Sequence, residues 1–223
     1  MSGSGIHTGA PKRGAYRGVK QPMAVAPDEK TARRFLTMLA ADAGQVHLVA
    51  IDPDGKHPVE GRDFGEGADA ALRFALRLNG DGRNIYWSVN KVRPGLHKKP
   101  TKADIVGARF SHVDIDPPKD GKLFDKTAVL ARLDGLRCPP SFVIDSGGGI
   151  QAFWRLGIGC DMLGQVEIAN RQIRDMCGGD NCQNIDRVMR VPRTINWPDA
   201  RKRERGRVPV LATIMRGWND ADL

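Results

Sequence analysis

The chain has 223 residues, 40% of them hydrophobic, enough for a sizeable core and against wholesale disorder. Its formal charge of +9 favours an anionic partner: nucleic acid, nucleotides or an anionic membrane surface. No apolar run approaches the roughly 18 residues of a membrane span, and the N-terminus lacks a signal-peptide core, so a cytoplasmic protein with no membrane partner is expected.

Residues 1–27 are rich in Gly, Ser, Pro and basic side chains, with no acid before Asp28, and read as a flexible basic arm ahead of one domain over 28–223. Asp28 is a candidate N-cap for a helix running to Ala41, with Phe35, Leu36 and Leu39 as its apolar stripe. A strand from Val46 to Ile51 ends at the turn Asp52-Pro53-Asp54-Gly55. An amphipathic helix follows over 67–78, stopped at Asn79-Gly80, then a strand over 84–89. The loop 91–102 carries Lys91, Arg93, His97, Lys98, Lys99 and Lys102 without one acid. A short helical turn at about 102–106 leads into a strand over 109–116. After Pro117-Pro118 the pattern gives a helix at 125–134, strands at 141–145 and 150–156, and a helix at 161–176. Residues 185–190 are short and extended or helical; a basic loop at 201–207 precedes a last strand at 208–215. Strands and helices that do not strictly alternate predict an α+β fold. Cys138, Cys160, Cys177 and Cys182 form no Cys-x-x-Cys pair. Scattered reduced thiols are the plain reading, with a zinc site through Cys177 and Cys182 as the alternative.

Three segments carry chemistry. In a strand, residues two apart face one side, so Asp114 and Asp116 of Asp114-Ile115-Asp116 point together. Like charges on one face call for a cation, and hard Mg²⁺ or Mn²⁺ takes oxygen ligands. A third acid from a distant segment, Asp186, would complete a two-metal site of the kind used in phosphoryl and nucleotidyl transfer. The second segment is Asp145-Ser146-Gly147-Gly148-Gly149-Ile150-Gln151. Its glycines permit close backbone approach, its N–H groups can form an anion nest, and Ser146 and Gln151 add polar side chains. The third runs from Asp186 through Arg187, Arg190 and Arg193 to Asn196, setting one carboxylate among arginines whose forks match phosphate oxygens.

With these segments in this order, the sequence resembles the archaeo-eukaryotic primase (primase–polymerase) superfamily, in particular the RepB-like replication primases of plasmids and phages. The resemblance spans roughly residues 45–215 and rests on the acidic pair, the Ser-Gly-Gly-Gly-x-Gln segment, Asp186 and Arg190-Val-Pro-Arg-Thr-Ile-Asn196; it reaches back to Asn84-Ile-Tyr-Trp87 and the Lys98-Lys99 loop. It implies an RNA-recognition-motif-like catalytic sheet joined to an N-terminal α/β unit. It further implies primer synthesis on single-stranded DNA from NTPs or dNTPs with Mg²⁺ or Mn²⁺, serving a phage, plasmid or mobile element. Asp114, Asp116 and Asp186 would hold the metals. Ser146, Gly148, Gly149, Gln151, Arg187, Arg190 and Asn196 would hold the nucleotide. Lys98, Lys99, Arg201, Lys202 and Arg203 would meet DNA, with Tyr86, Trp87 and Trp197 available for stacking. A helicase or a C-terminal domain of the same system is an expected partner. Two departures stand out: Gln151 where most of the superfamily has His, and Pro192-Arg193 where Pro-Gly is common. A neutral amide can hold a phosphate oxygen but cannot titrate. A two-metal nuclease and a non-catalytic single-strand-binding module remain the alternatives.

Overall fold

A computed structural model describes residues 26–118, 123–160 and 162–217, so nearly all of the expected basic arm lies outside the described residues. The chain opens with α1 (Glu29–Ala43), capped by Asp28, whose carboxylate accepts from Thr31 N at 3.2 Å. The helix ends at Gly44 in the left-handed conformation. Four strands, β1 (His47–Ile51), β2 (Glu60–Asp63), β3 (Asn84–Ser88) and β8 (Val188–Arg190), form one antiparallel sheet in the order β2-β1-β3-β8. Against it packs α2 (Ala68–Gly80), beside α1.

The second sheet has the order β11-β6-β7-β5-β4 and is antiparallel throughout. Its strands are β4 (Lys91–Val92), β5 (Ile105–Ile115), β6 (Phe142–Asp145), β7 (Ile150–Cys160) and β11 (Thr213–Arg216). Two helices, α3 (Lys126–Asp134) and α4 (Leu163–Cys177), belong to it. A small pair, β9 (Ile195–Asn196) with β10 (Val210–Leu211), and the short α5 (Ala200–Glu204) complete the chain. This is the α+β arrangement that the resemblance implies, a helix-backed antiparallel sheet joined to an N-terminal α/β unit.

The period of the strand divides the core. Val113 and Ile115 join Val143, Ile150, Ala152 and Trp154 against Leu130 and Leu133 of α3. Phe110, Phe142, Ile144 and Phe153 face the other way and meet Phe35 and Trp87 of the first unit. The aromatic rings there interlock: Phe142 stacks on Phe153 at 4.6 Å, and Trp87 lies 5.2 Å from Phe153 and 5.4 Å from Phe35. Trp87 is thus a core residue, closed to any base. The row Phe110, His112, Asp114 runs along this inner face, so Asp114 emerges where the two sheets part. His112 is fully enclosed, its Nε2 2.8 Å from Cys182 O, and burial lowers its pKa to about 4.

The strand and helix expectations meet their elements with shifts of a few residues. Strands β2, β4 and β9 have no counterpart among the expected elements, and the last strand expected over 208–215 divides into β10 and β11. Residues 188–190 are extended, and the basic loop at 201–207 contains α5.

Candidate active site

A cavity of about 860 Å³ opens between the sheets. Its walls carry Asp114, Asp116, Ser146, Gly148, Gln151, Arg187, Arg190 and Asn196, together with Tyr86, Trp197, Lys202, Arg205 and Arg207. Residues from β3, β5, β7, β8 and β9, far apart in the chain, thereby share one space.

The acidic wall comes first. Asp114 closes a row of buried residues, and burial, with Asp116 second, pushes its carboxyl up to about 6. Asp116 stands open to solvent at the mouth, yet desolvation by the walls and the nearby Asp180 still raise it. Asp180 is a cavity residue that sequence reading missed. Its N–H donates to Asp114 O at 2.8 Å. Gly178 ends α4 with φ +66°, and a Cβ on Gly179 would run into Val113 and lie 3.0 Å from Asp114 O. Glycine there lets the chain press Asp180 against the acidic strand. Asp186, the third acid expected from the sequence, lies half-buried in the turn before β8 and is not a lining residue. Gly149 plays the same permissive part on the other side, since a Cβ there would collide with Asp116.

The glycine turn is built differently from a free anion nest. Gly147 N–H donates to Asp145 at 2.8 Å, and Gly149 N–H donates to the Ser146 hydroxyl at 3.0 Å. That hydroxyl in turn donates to Gly149 O at 3.0 Å. Lys126 holds Asp145 through both carboxylate oxygens, at 2.7 and 2.8 Å. Ser146 and these amides therefore shape the turn, and its donors are largely spent within it.

The basic wall carries the unspent donors. Arg190 is 5% exposed, and its Nη2 donates to Tyr86 Oη at 3.0 Å and Asn196 Oδ1 at 2.9 Å. Its guanidinium sits 4.3 Å over the Tyr86 ring. Its Nε and Nη1 have no hydrogen-bond partner, and burial lowers its pKa. Gln151 joins the two walls: Oε1 accepts from Arg190 N at 3.1 Å, and Nε2 reaches Asp114 Oδ1 at 3.5 Å. Arg187 Nη2 lies 3.6 Å from Asp114 Oδ2. Lys202 and Arg207 act on Asp116 from across the mouth. Arg207 lies over Gly148, its Nη1 only 3.2 Å from where a Cβ would stand.

Other expected residues lie apart. Lys98 pairs with Asp104 at 3.0 Å, as does Arg93 at 2.8 Å; neither Lys98 nor Lys99 lines the cavity. Arg203 anchors α5 to the 52–55 turn through Asp54 at 2.8 Å, and Arg201 is exposed and outside the lining. Cys177 and Cys182 pack into different apolar clusters, and burial raises both thiols, that of Cys182 to about 11. Among the described residues no three His, Cys, Asp or Glu are grouped to hold a metal ion, and no helix is long and apolar enough to cross a membrane.

No family model and no curated protein matches the chain. Solved structures do. The AEP domain of the primase–polymerase from cyanophage S-2L superposes with a TM-score of 0.58 at 18% identity, over 86% of this chain and 92% of that one. The fold is that of the archaeo-eukaryotic primases. Primase RepB′ aligns with a TM-score of 0.57 at 14% identity, over 86% of this chain and 58% of its own. The catalytic domain of RepB′ in complex with initiator DNA gives 0.53 at 14% identity, over 82% and 84%. At these identities the likeness is one of fold.

Proposed function

We propose that the protein is a DNA primase–polymerase that joins nucleoside triphosphates on a single-stranded DNA template, in the replication of a phage, plasmid or other mobile element. One observation carries the reading: a single cavity holds an under-neutralised carboxylate pair and a buried arginine with two unspent donor atoms. A metal-bound triphosphate brings the positive charge that the first lacks and the oxygens that the second lacks. The primase-like fold and the initiator DNA named with one neighbour add support.

The donor set fits Mg²⁺ or Mn²⁺. Asp114 and Asp116 offer hard oxygens at raised pKa, and Mg²⁺ commonly takes one or two carboxylates and completes its shell with substrate phosphates. Asp180 neighbours the pair but stands outside this two-carboxylate set, since no three acids are grouped to hold an ion among the described residues. Bound metal would neutralise triphosphate charge and activate the attacking hydroxyl. Arg190 would supply its positive charge to the phosphates, and Lys202 and Arg207 would close the opposite side. Gln151 would fix the spacing of Asp114 and Arg190. The growing strand's 3′-oxygen would attack the α-phosphorus, and the bond to pyrophosphate would break. Such a reaction asks for placement and charge stabilisation more than covalent help.

The test is primer synthesis on unprimed single-stranded DNA with all NTPs and dNTPs, one γ-labelled, and Mg²⁺ or Mn²⁺. Labelled oligonucleotides from the wild type and none from Asp114→Ala/Asp116→Ala, with DNA binding retained, are the expected result. Silence from both with DNA bound would favour a non-catalytic binding module; degradation of the template would favour a nuclease.

A further inference from the structure

The segment after β8 has a problem of placement. Asn196 must hold Arg190 on one side and the glycine turn on the other, through Oδ1 to Arg190 at 2.9 Å and Nδ2 to Ser146 O at 2.7 Å. Yet β9 is two residues long and pairs only with the equally short β10. Two strand residues fix a backbone poorly by themselves.

Two asparagines from elsewhere supply the missing pairing. Asn84, at the start of β3, donates from Nδ2 to Trp197 O at 2.9 Å and accepts at Oδ1 from Trp197 N at 2.8 Å. Asn79, near the end of α2, donates to Ile195 O at 2.8 Å and accepts from Ile195 N at 2.7 Å. The indole of Trp197 adds a bond from Nε1 to Asn79 O at 2.9 Å. A carboxamide carries the donor and acceptor of a peptide group, so each asparagine imitates a neighbouring strand at one residue. Both are buried, at 0% for Asn79 and 6% for Asn84. They grip residues 195 and 197, which lie on one side of the extended chain, and leave the intervening Asn196 to the other.

We propose that Asn84, with Asn79 behind it, is a positioning residue for the nucleotide. It fixes the backbone at 195–197, hence Asn196, hence the guanidinium of Arg190. Neither asparagine belongs to the three chemistry-bearing segments, and they precede Asn196 by more than a hundred residues. The inference rests on the triphosphate reading above and deepens it.

The experiment is a double-mutant cycle on Asn84→Ala and Asn196→Ala, read by titrating the full chain with a fluorescent ribonucleoside triphosphate and Mn²⁺. Single-stranded DNA binding is measured in parallel. Asn84→Ala should weaken triphosphate binding about tenfold, the scale of a lost buried hydrogen-bonding pair, with DNA affinity unchanged. The double variant should bind no worse than Asn196→Ala alone, because both act through one group. Affinity equal to wild type in Asn84→Ala, or losses that multiply in the double variant, would overturn the proposal. Should Asn84→Ala not fold, Asn84→Asp keeps the acceptor for Trp197 N, loses the donor, and runs the same cycle. A wild-type chain that binds no triphosphate would sink the primase reading and this inference with it; a wild type that binds while Asn84→Ala binds equally sinks the inference alone.

Discussion

The raised carboxyl of Asp114 makes a prediction about stability that needs no enzyme assay. Burial and Asp116 move its pKa from the ordinary 3.8 to about 6 in the folded chain. At about 1.4 kcal/mol per pKa unit, the ionised form carries a cost of about 3 kcal/mol above pH 6. The sign follows from the direction of the shift. A group raised on folding favours the folded state fully below 3.8 and loses that contribution as pH rises through 6. Asp114→Asn removes the charge and keeps an oxygen for Gln151, at the loss of the 3.6 Å contact with Arg187. Net stabilisation of about 2 kcal/mol near pH 7.5 is expected, which for a chain of this size is about 4–8 °C in Tm. The assay is thermal or urea unfolding of wild type and variant in chelator, near pH 7.5 and again near pH 4.5. The variant's advantage should shrink by about 2 kcal/mol between the two, because protonation neutralises the wild-type carboxyl. That pH-dependent part is independent of any packing change. Excess Mn²⁺ near pH 7.5 should raise the wild type and leave the variant nearly unmoved. A variant no more stable than wild type at the higher pH, or an advantage that does not change with pH, would refute the reasoning.

Further expectations are checked as simply. His112 is buried neutral with its pKa lowered to about 4, so its contribution is full above 6.5 and lost as pH falls toward 4. This opposes Asp114 in the same window; urea midpoints of Asp114→Asn should therefore fall more steeply than wild type from pH 6.5 to 4.5. Arg190→Lys keeps a charge but not the fork that serves Tyr86, Asn196 and a phosphate together, and should weaken triphosphate binding at least about tenfold by calorimetry. Arg193 holds φ +65° as the single positive-φ residue other than glycine among the described residues. Arg193→Val should lower the unfolding free energy by more than about 1 kcal/mol, and Arg193→Gly should leave it level or slightly higher in the same titration. Lys202→Ala/Arg207→Ala should flatten the salt dependence of single-stranded DNA binding more than Lys98→Ala/Lys99→Ala, since Lys98 is committed to Asp104.

The elements with strong local signals were legible. Asp28 before a 3.6-residue apolar stripe, and the alternation around Asp114, are patterns that packing merely confirms. What escaped was held by tertiary partners. Strand β2 reads Glu60-Gly61-Arg62-Asp63, with no apolar alternation; it exists because β1 pairs with it along four residues. Strand β9 pairs with the distant β10, and its backbone is bonded at Ile195 and beyond it at Trp197 by Asn79 and Asn84, which no local window contains. The site divides the same way. Asp114, Asp116, Gln151, Arg190 and Asn196 reach the cavity from segments whose residue types stood out. Asp180 escaped because its claim rests on how closely Gly179 lets two segments approach, a distance that a sequence does not carry. Arg205 and Arg207 belong to the basic loop 201–207, where composition alone cannot say which residues face the cavity.

Gln151 also bears on why the cavity keeps its opposed charges unspent. Arg190 on β8 and Asp114 on β5 line the cavity from different sheets, and a direct pair would neutralise both and leave nothing for a ligand. The carboxamide of Gln151 stands between, with its oxygen on the Arg190 backbone and its nitrogen toward Asp114. Being neutral, it bonds the Arg190 backbone and reaches the Asp114 carboxylate without cancelling either charge. A histidine there could change charge with pH and so alter the balance between the walls; glutamine cannot. The result is a site whose acidic half is destabilised by burial and whose buried arginine keeps two donor atoms without a partner. These opposed charges are what the proposed function rests on, in which a metal-bound nucleoside triphosphate would bring cations to the carboxylates and oxygens to the arginine.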